Sequence, residues 1–158
     1  MKTSLRSAAA EDSESVARIL IETRKALMPY APWAHSEEDV RKWVRSHLIP
    51  TSNVTIAELN SRVVALVATS TDDSYLWIDQ LYVHHEMTRQ GAGTQLLSLV
   101  TSSTQLPIRL YTFQENLGAR RFYERHGFLA VGFTNGQANE EHCPDVLYQR
   151  IASQGDAA

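Results

Sequence analysis

Between Tyr75 and Phe133 the hydrophobic period changes repeatedly between about two and about 3.6 residues, and this alternation constrains the fold more than any other feature. Tyr75–Val83 reads as a strand, and Gly91–Ser102 carries Leu96, Leu97 and Val100 at helical spacing. Ile108–Phe113 is a strand introduced by Pro107, Asn116–His126 is a helix closed by Gly127, and Phe128–Phe133 is again a strand. A strand, a helix and a further strand in this order predict one βαβ crossover, and so one parallel pair.

The other elements surround that unit. A short strand near Ser4–Ala8 opens the chain, and Val16, Ile19, Leu20 and Leu27 then mark a helix that stops at Met28-Pro29. Ser36 caps a second helix with Glu37, Glu38 and Asp39 in its first turn. Its apolar row is Val40, Trp43, Val44 and Leu48, and Pro50 ends it. Asn53–Leu59 and Arg62–Ser70 form a hairpin through Asn60-Ser61. Val146–Ile151 is the last strand, after the polar loop Thr134–Asp145. The fold class predicted is α/β, with a mixed, mostly antiparallel central sheet flanked by four helices. At 158 residues the chain is sized for one domain, expected over residues 1–151, with 152–158 as a frayed tail.

Composition excludes several function classes. A net charge of −3 provides no basic field for nucleic acid. No apolar run reaches membrane-spanning length and the N-terminus has no signal-peptide core, so no membrane partner is expected. The single cysteine, Cys143, has no companions at disulfide or zinc spacing, so no metal is expected and a cytoplasmic setting is.

The chemistry concentrates at the strand-to-helix junction from Val83 to Thr94. Gly91 and Gly93 remove side chains that would hold an anion off the backbone, and the helix starting there presents free N–H groups and a positive dipole end. A GxG of this kind also serves as an ordinary tight turn. The Walker pattern fails because no Gly-Lys-Ser/Thr follows, and the dinucleotide fingerprint lacks its third glycine.

The segment resembles the acetyl-CoA loop of the GNAT acetyltransferase superfamily, with Leu81-Tyr82-Val83 as the end of the preceding strand and Gly91-Ala92-Gly93 as the glycine turn. Thr88 stands where the superfamily usually has Gln or Arg, with Arg89 and Gln90 beside it. Arg89 either supplies that charge from the next position or is a solvated arginine. The resemblance implies that acetyl-CoA, as co-substrate, is held by Leu81, Tyr82, Val83, Thr88, Arg89, Gln90, Gly91, Ala92, Gly93 and Thr94.

A second stretch, Asn116-Leu-Gly-Ala-Arg-Arg-Phe-Tyr-Glu-Arg-His-Gly-Phe128, is similar to the superfamily's closing motif. Asn116 and Tyr123 are seven residues apart and share a helix face. By resemblance, Asn116 bonds the pantetheine arm, Ala119 allows its close approach, and Tyr123 stands by the thioester sulfur as general acid. Phe122 is a core aromatic.

The resemblance implies an N-acetyltransferase acting on a primary amine by direct attack in a ternary complex. A protein- or peptide-directed enzyme and a non-catalytic acyl-CoA-binding module stand as alternatives, and a homodimer is left open. The superfamily walls its acceptor pocket with the loops that are here Met28–His35 and Thr134–Asp145. Tyr30, Trp33, His35, Glu140 and Glu141 are thus acceptor-side candidates. Glu140, Glu141 and Asp145 would orient a cationic amine, or form a solvated loop with no basic neighbour inside it. Some relatives carry a glutamate base on the fourth strand, at the position near Trp77 here. Asp79, two residues on, either accepts the proton through a water or is a strand acid tied to backbone, and it is ranked first as base, ahead of His35 and His142.

Overall fold

The strand that starts at Arg62 is buried without interruption from Val63 to Thr69, because it lies inside a sheet that is covered on both faces. In the computed structural model, which describes residues 3–31, 33–88 and 91–151, seven strands form one sheet. They are β1 (Ser4–Ser7), β2 (Asn53–Leu59), β3 (Arg62–Thr71), β4 (Leu76–Val83), β5 (Ile108–Phe113), β6 (Leu129–Phe133) and β7 (Asp145–Arg150). Their order is β1-β2-β3-β4-β5-β7-β6, and every pairing is antiparallel except β4 with β5.

Four helices cover the sheet: α1 (Ser13–Leu27), α2 (Glu37–Trp43), α3 (Ala92–Ser102) and α4 (Leu117–Arg125). One core layer joins Val16, Ile19, Leu20, Val44 and Leu48 to Ile56, Leu66 and Ala68. The other joins Leu96, Leu97 and Val100 to Ala65, Val67, Leu110, Phe128 and Tyr148. Each fully buried Leu or Ile contributes about 1.5–3 kcal/mol relative to exposure. The alternation of β3 between the layers is the period-two geometry of a strand.

Local chemistry accounts for the connections. Asn60 and Ser61 have φ of 54° and 65°, the two left-handed residues of a two-residue hairpin turn. Ser36 caps α2 by accepting from the Asp39 N–H at 3.1 Å. The expectation that Pro50 ends this helix is corrected: α2 continues through a π-helical stretch, Val44–Leu48, into a last turn, Ile49–Thr51. The wider π turn carries the chain past Leu48, and Pro50 falls in the first turn of the final piece, where no N–H is required. Arg89, Gln90 and the tail 152–158 lie outside the described residues.

The irregularities of β4 position the site. Ala68 pairs with Gln80 and Thr69 with Ile78, so Asp79 is the extra residue of a β-bulge. On its other side β4 pairs with β5 only at Leu76↔Ile108 and Trp77↔Arg109. Beyond those pairs the two strands diverge, and a cleft opens between them.

Candidate active site

The cleft has a volume of about 820 Å³ and is walled by Ile78–Val83 of β4 and Leu110–Phe113 of β5, a size suited to a small-molecule ligand. Because β5 has turned away, this stretch of β4 has no strand partner on the cleft side, and its backbone N–H and C=O groups are a template for an extended ligand.

At one end the cleft meets the start of α3. Gly91 is the N-cap of α3, at φ 87°, and among the described residues no side chain caps the helix. The first N–H groups of α3 therefore keep their capacity to bind an anion. The two glycines do different work. A Cβ built on Gly91 would meet nothing within 4 Å, so that residue is needed for its left-handed backbone. A Cβ on Gly93 would come within 3.3 Å of Val83 Cγ2 and 3.4 Å of Phe122 Cζ. Its bare backbone lets α3 pack closely on β4 and α4, where the sequence alone suggested clearance for an anion.

The middle of the cleft is formed by α4. Asn116, Ala119 and Tyr123 all line it. Asn116 caps the helix, its Oδ1 accepting from the Ala119 N–H at 3.2 Å, which leaves its amide NH2 without a partner among the described residues. The Tyr123 ring is fixed by Phe122, Phe128 and Tyr148 at centroid distances of 5.4, 5.5 and 6.2 Å. Its hydroxyl makes no hydrogen bond with the described residues, and burial, with a smaller contribution from Tyr82, raises its pKa further above the ordinary phenol range.

Asp79 also lines the cleft and is exposed to it. Desolvation by the surrounding cleft wall nonetheless raises its pKa, opposed by the Ser70 hydroxyl, which donates to Asp79 Oδ2 at 2.7 Å. Tyr82 faces the same space. Burial raises its pKa, and the nearby Arg24 guanidinium works against that rise.

The acceptor-side candidates divide into two groups. Glu141 lines the cleft, whereas Tyr30, Trp33, His35 and Glu140 are outside its wall. Tyr30 packs edge-on against Phe113 at 6.1 Å, and burial pushes its pKa up to about 12. Trp33 lies under the Arg24 guanidinium, 4.3 Å from ring centroid to Cζ. Glu141 and Glu140 have partners that their own loop does not contain, whereas Asp145 is held from within it. Arg24 donates to Glu141 at 3.0 Å, and His35 Nε2 is 3.2 Å from Glu140. Asp145 accepts from the Thr134 hydroxyl and from Asn139 Nδ2, the latter at 3.2 Å. His142 is exposed and is not part of the wall.

Thr88, Ala92 and Thr94 line the cleft with Leu81, Tyr82 and Val83. Sequence reasoning passed over Arg24, Ser70, Arg121 and Arg125. The signal for Arg24 was an arginine four residues after Leu20 on the buried row of α1. His84 was also missed. It is buried, lies 3.0 Å from Glu22 of α1 through Nε2, and ties the start of the α3 loop to that helix. Among the described residues no helix is long and apolar enough to cross a membrane, and no group of three or more His, Cys, Asp or Glu side chains could hold a metal ion.

Comparison with known proteins places this architecture. The Acetyltransferase (GNAT) family profile matches residues 20–128. An uncharacterized N-acetyltransferase, YafP of Escherichia coli (strain K12), is 31% identical over 115 residues, which span 69% of this chain and 68% of that protein. The PaiA N-acetyltransferase of Thermoplasma acidophilum, solved in complex with coenzyme A, superposes with a TM-score of 0.74 at 20% identity, covering 96% of this chain and 100% of that one. Ard1 of Thermoplasma volcanium superposes with a TM-score of 0.75 at 20% identity over 97% and 99% of the two chains.

Proposed function

Because the chain belongs to the GNAT acetyltransferase family and is thus an N-acetyltransferase, we propose that it moves an acetyl group from acetyl-CoA to a primary amine by direct attack within a ternary complex. The observation that carries this reading is the cleft itself, in which the unpaired edge of β4, the uncapped start of α3 and the Tyr123 hydroxyl share one wall system. A fold neighbour solved with coenzyme A supports the same donor.

The residues present fit such a donor. Backbone groups from Leu81 to Val83 would hold the pantetheine arm in a strand-like way, with the Asn116 amide and the small Ala119 on the facing helix. N–H groups at the start of α3, around Gly91–Thr94, would take the pyrophosphate. Acetyl-CoA supplies the thioester: its carbonyl carbon gains a bond to the amine nitrogen and loses its bond to sulfur, which leaves with the electron pair.

Two side chains handle the protons. With its pKa raised, Tyr123 keeps its proton throughout the neutral range and can donate it to the departing sulfur. Its hydroxyl has no competing bond with the described residues to give up. Asp79 takes the proton that the amine nitrogen loses, through a water. Its raised pKa improves it as a base, and the Ser70 hydroxyl holds the carboxylate in one orientation.

The test is thiol release from acetyl-CoA over a panel of primary amines and short peptides. We expect release that depends on the amine. Calorimetric binding of acetyl-CoA with no release for any acceptor would instead favour an acyl-CoA-binding module.

A further inference from the structure

Among the described residues, the cleft wall carries two cations that acyl transfer does not use. On α4, Gly118, Arg121 and Arg125 recur at helical spacing and all line the cleft, forming one stripe. The adjacent stripe, Phe122 and His126, packs on the start of α3. Phe122 Cζ would lie 3.4 Å from a Cβ on Gly93, and Thr94 Oγ1 is 3.4 Å from His126 Nε2. The arginine stripe therefore flanks the helix start that offers its free N–H groups to an anion.

Both arginines are exposed, and neither makes a hydrogen bond or ion pair with the described residues. Arg120, beside them on the same helix, differs: it donates to the Tyr148 hydroxyl at 3.1 Å and to the Gln114 carbonyl at 3.3 Å. Two guanidinium groups one turn apart, their Cβ atoms about 5–6 Å from each other, suit an anion with several oxygens. In a chain of net charge −3, such a local cation pair runs against the overall field.

We propose that Arg121 and Arg125 bind the 3′-phosphate of the donor nucleotide, and so make the enzyme selective for CoA over its dephosphorylated form. This rests on the reading of the cleft as an acetyl-CoA site. The pyrophosphate has the α3 start to receive it, whereas the phosphomonoester, carrying about −1.5 to −2 charge at neutral pH, has no other cation of the described cleft wall. Along α4 the pair lies past Asn116 and Ala119, on the flank turned to the start of α3, which is where the nucleotide end of the donor belongs.

The experiment is calorimetric titration of wild type and of the Arg121→Gln, Arg125→Gln double variant with CoA and with dephospho-CoA. Wild type should bind CoA more tightly by on the order of ten- to a hundredfold, the range of a charge-assisted hydrogen-bonded contact. The double variant should lose that preference while its affinity for dephospho-CoA stays unchanged. Glutamine is a good helix former and both sites are exposed, so the fold should persist. Equal affinity of wild type for the two ligands would overturn the inference and leave the acetyl-CoA reading standing. An equal weakening of both ligands in the double variant would also overturn it, by assigning the arginines to the pyrophosphate. Failure of wild type to bind either ligand would remove the acetyl-CoA reading and this inference together.

Discussion

Arg24 of α1 donates to Glu141, in the loop before β7, at 3.0 Å, and both side chains are nearly excluded from water at 9% and 13% exposure. The same Nη2 donates to the Ala31 carbonyl at 2.7 Å. One guanidinium thus joins α1, the loop that follows it and the loop between the last two strands, beside the cleft. A cation entering the cleft there would meet Glu141 with one carboxylate oxygen already engaged by Arg24.

Removing one partner of a buried ion pair strands the other charge. Glu141→Gln should therefore lower the unfolding free energy by about 3–5 kcal/mol. Glu140→Gln should change it by less than about 1 kcal/mol, since its contact with His35 is open to solvent, at 69% and 53% exposure. Denaturant melts of the two variants give the comparison. A Glu141→Gln protein as stable as wild type, with a raised KM for the amine, would mean that this carboxylate serves the substrate and not the loops.

If Tyr123 protonates the departing thiolate, Tyr123→Phe should lower kcat by about 10²–10⁴-fold with little change in the affinity for acetyl-CoA. The ring keeps its contacts with Phe122, Phe128 and Tyr148, so the melting temperature should hardly move. Undiminished turnover would make Tyr123 a packing residue.

The pH profile tests Asp79. A base must be ionised, and burial raises the pKa of this carboxyl above its ordinary value, so the acid limb of kcat/KM should lie above about 3.9, the usual aspartate value. Ser70 lowers that pKa. Ser70→Ala should move the limb to higher pH, and Asp79→Asn should abolish it. A limb unmoved by Ser70→Ala would assign it to another group.

The two glycines should fail in different ways. Gly91→Val forces a β-branched residue to φ 87° with open space around it, so the loop should distort locally and acetyl-CoA affinity should fall while the core melts normally. Gly93→Val crowds Val83 and Phe122, so stability should fall by about 1–3 kcal/mol, as overpacking does. Melting curves beside binding isotherms separate these outcomes. Equal loss of stability in both would contradict the division of roles.

The secondary structure was legible in the sequence because each element carries its own period and its own stops. Asn53–Leu59 and Ile108–Phe113 have the predicted bounds, and the helix reading around Leu96, Leu97 and Val100 differs from α3 by one residue. Asn116, Ala119 and Tyr123 line one cleft as their helical spacing implies, since neighbours on a helix are set by 3.6-residue geometry alone. The π-helical stretch Val44–Leu48, between α2 and the turn that holds Pro50, was not legible, because its buried Val44 and Leu48 pack against distant residues of α1 and the sheet.

What the sequence could not decide was every relationship that needs two distant segments to meet. Arg24 and Glu141 are 117 positions apart, and nothing near Glu141 in the chain announces a cation. The divergence of β4 from β5, which makes the cleft, follows from a bulge at Asp79 and from pairings that end after Trp77. Strand pairing, burial and desolvation are properties of the assembled sheet. The sequence by itself therefore determined the elements and the family of the chain, and the tertiary structure alone decided which charges are neutralised, which helix start is left uncapped toward the cleft, and which carboxyl titrates high.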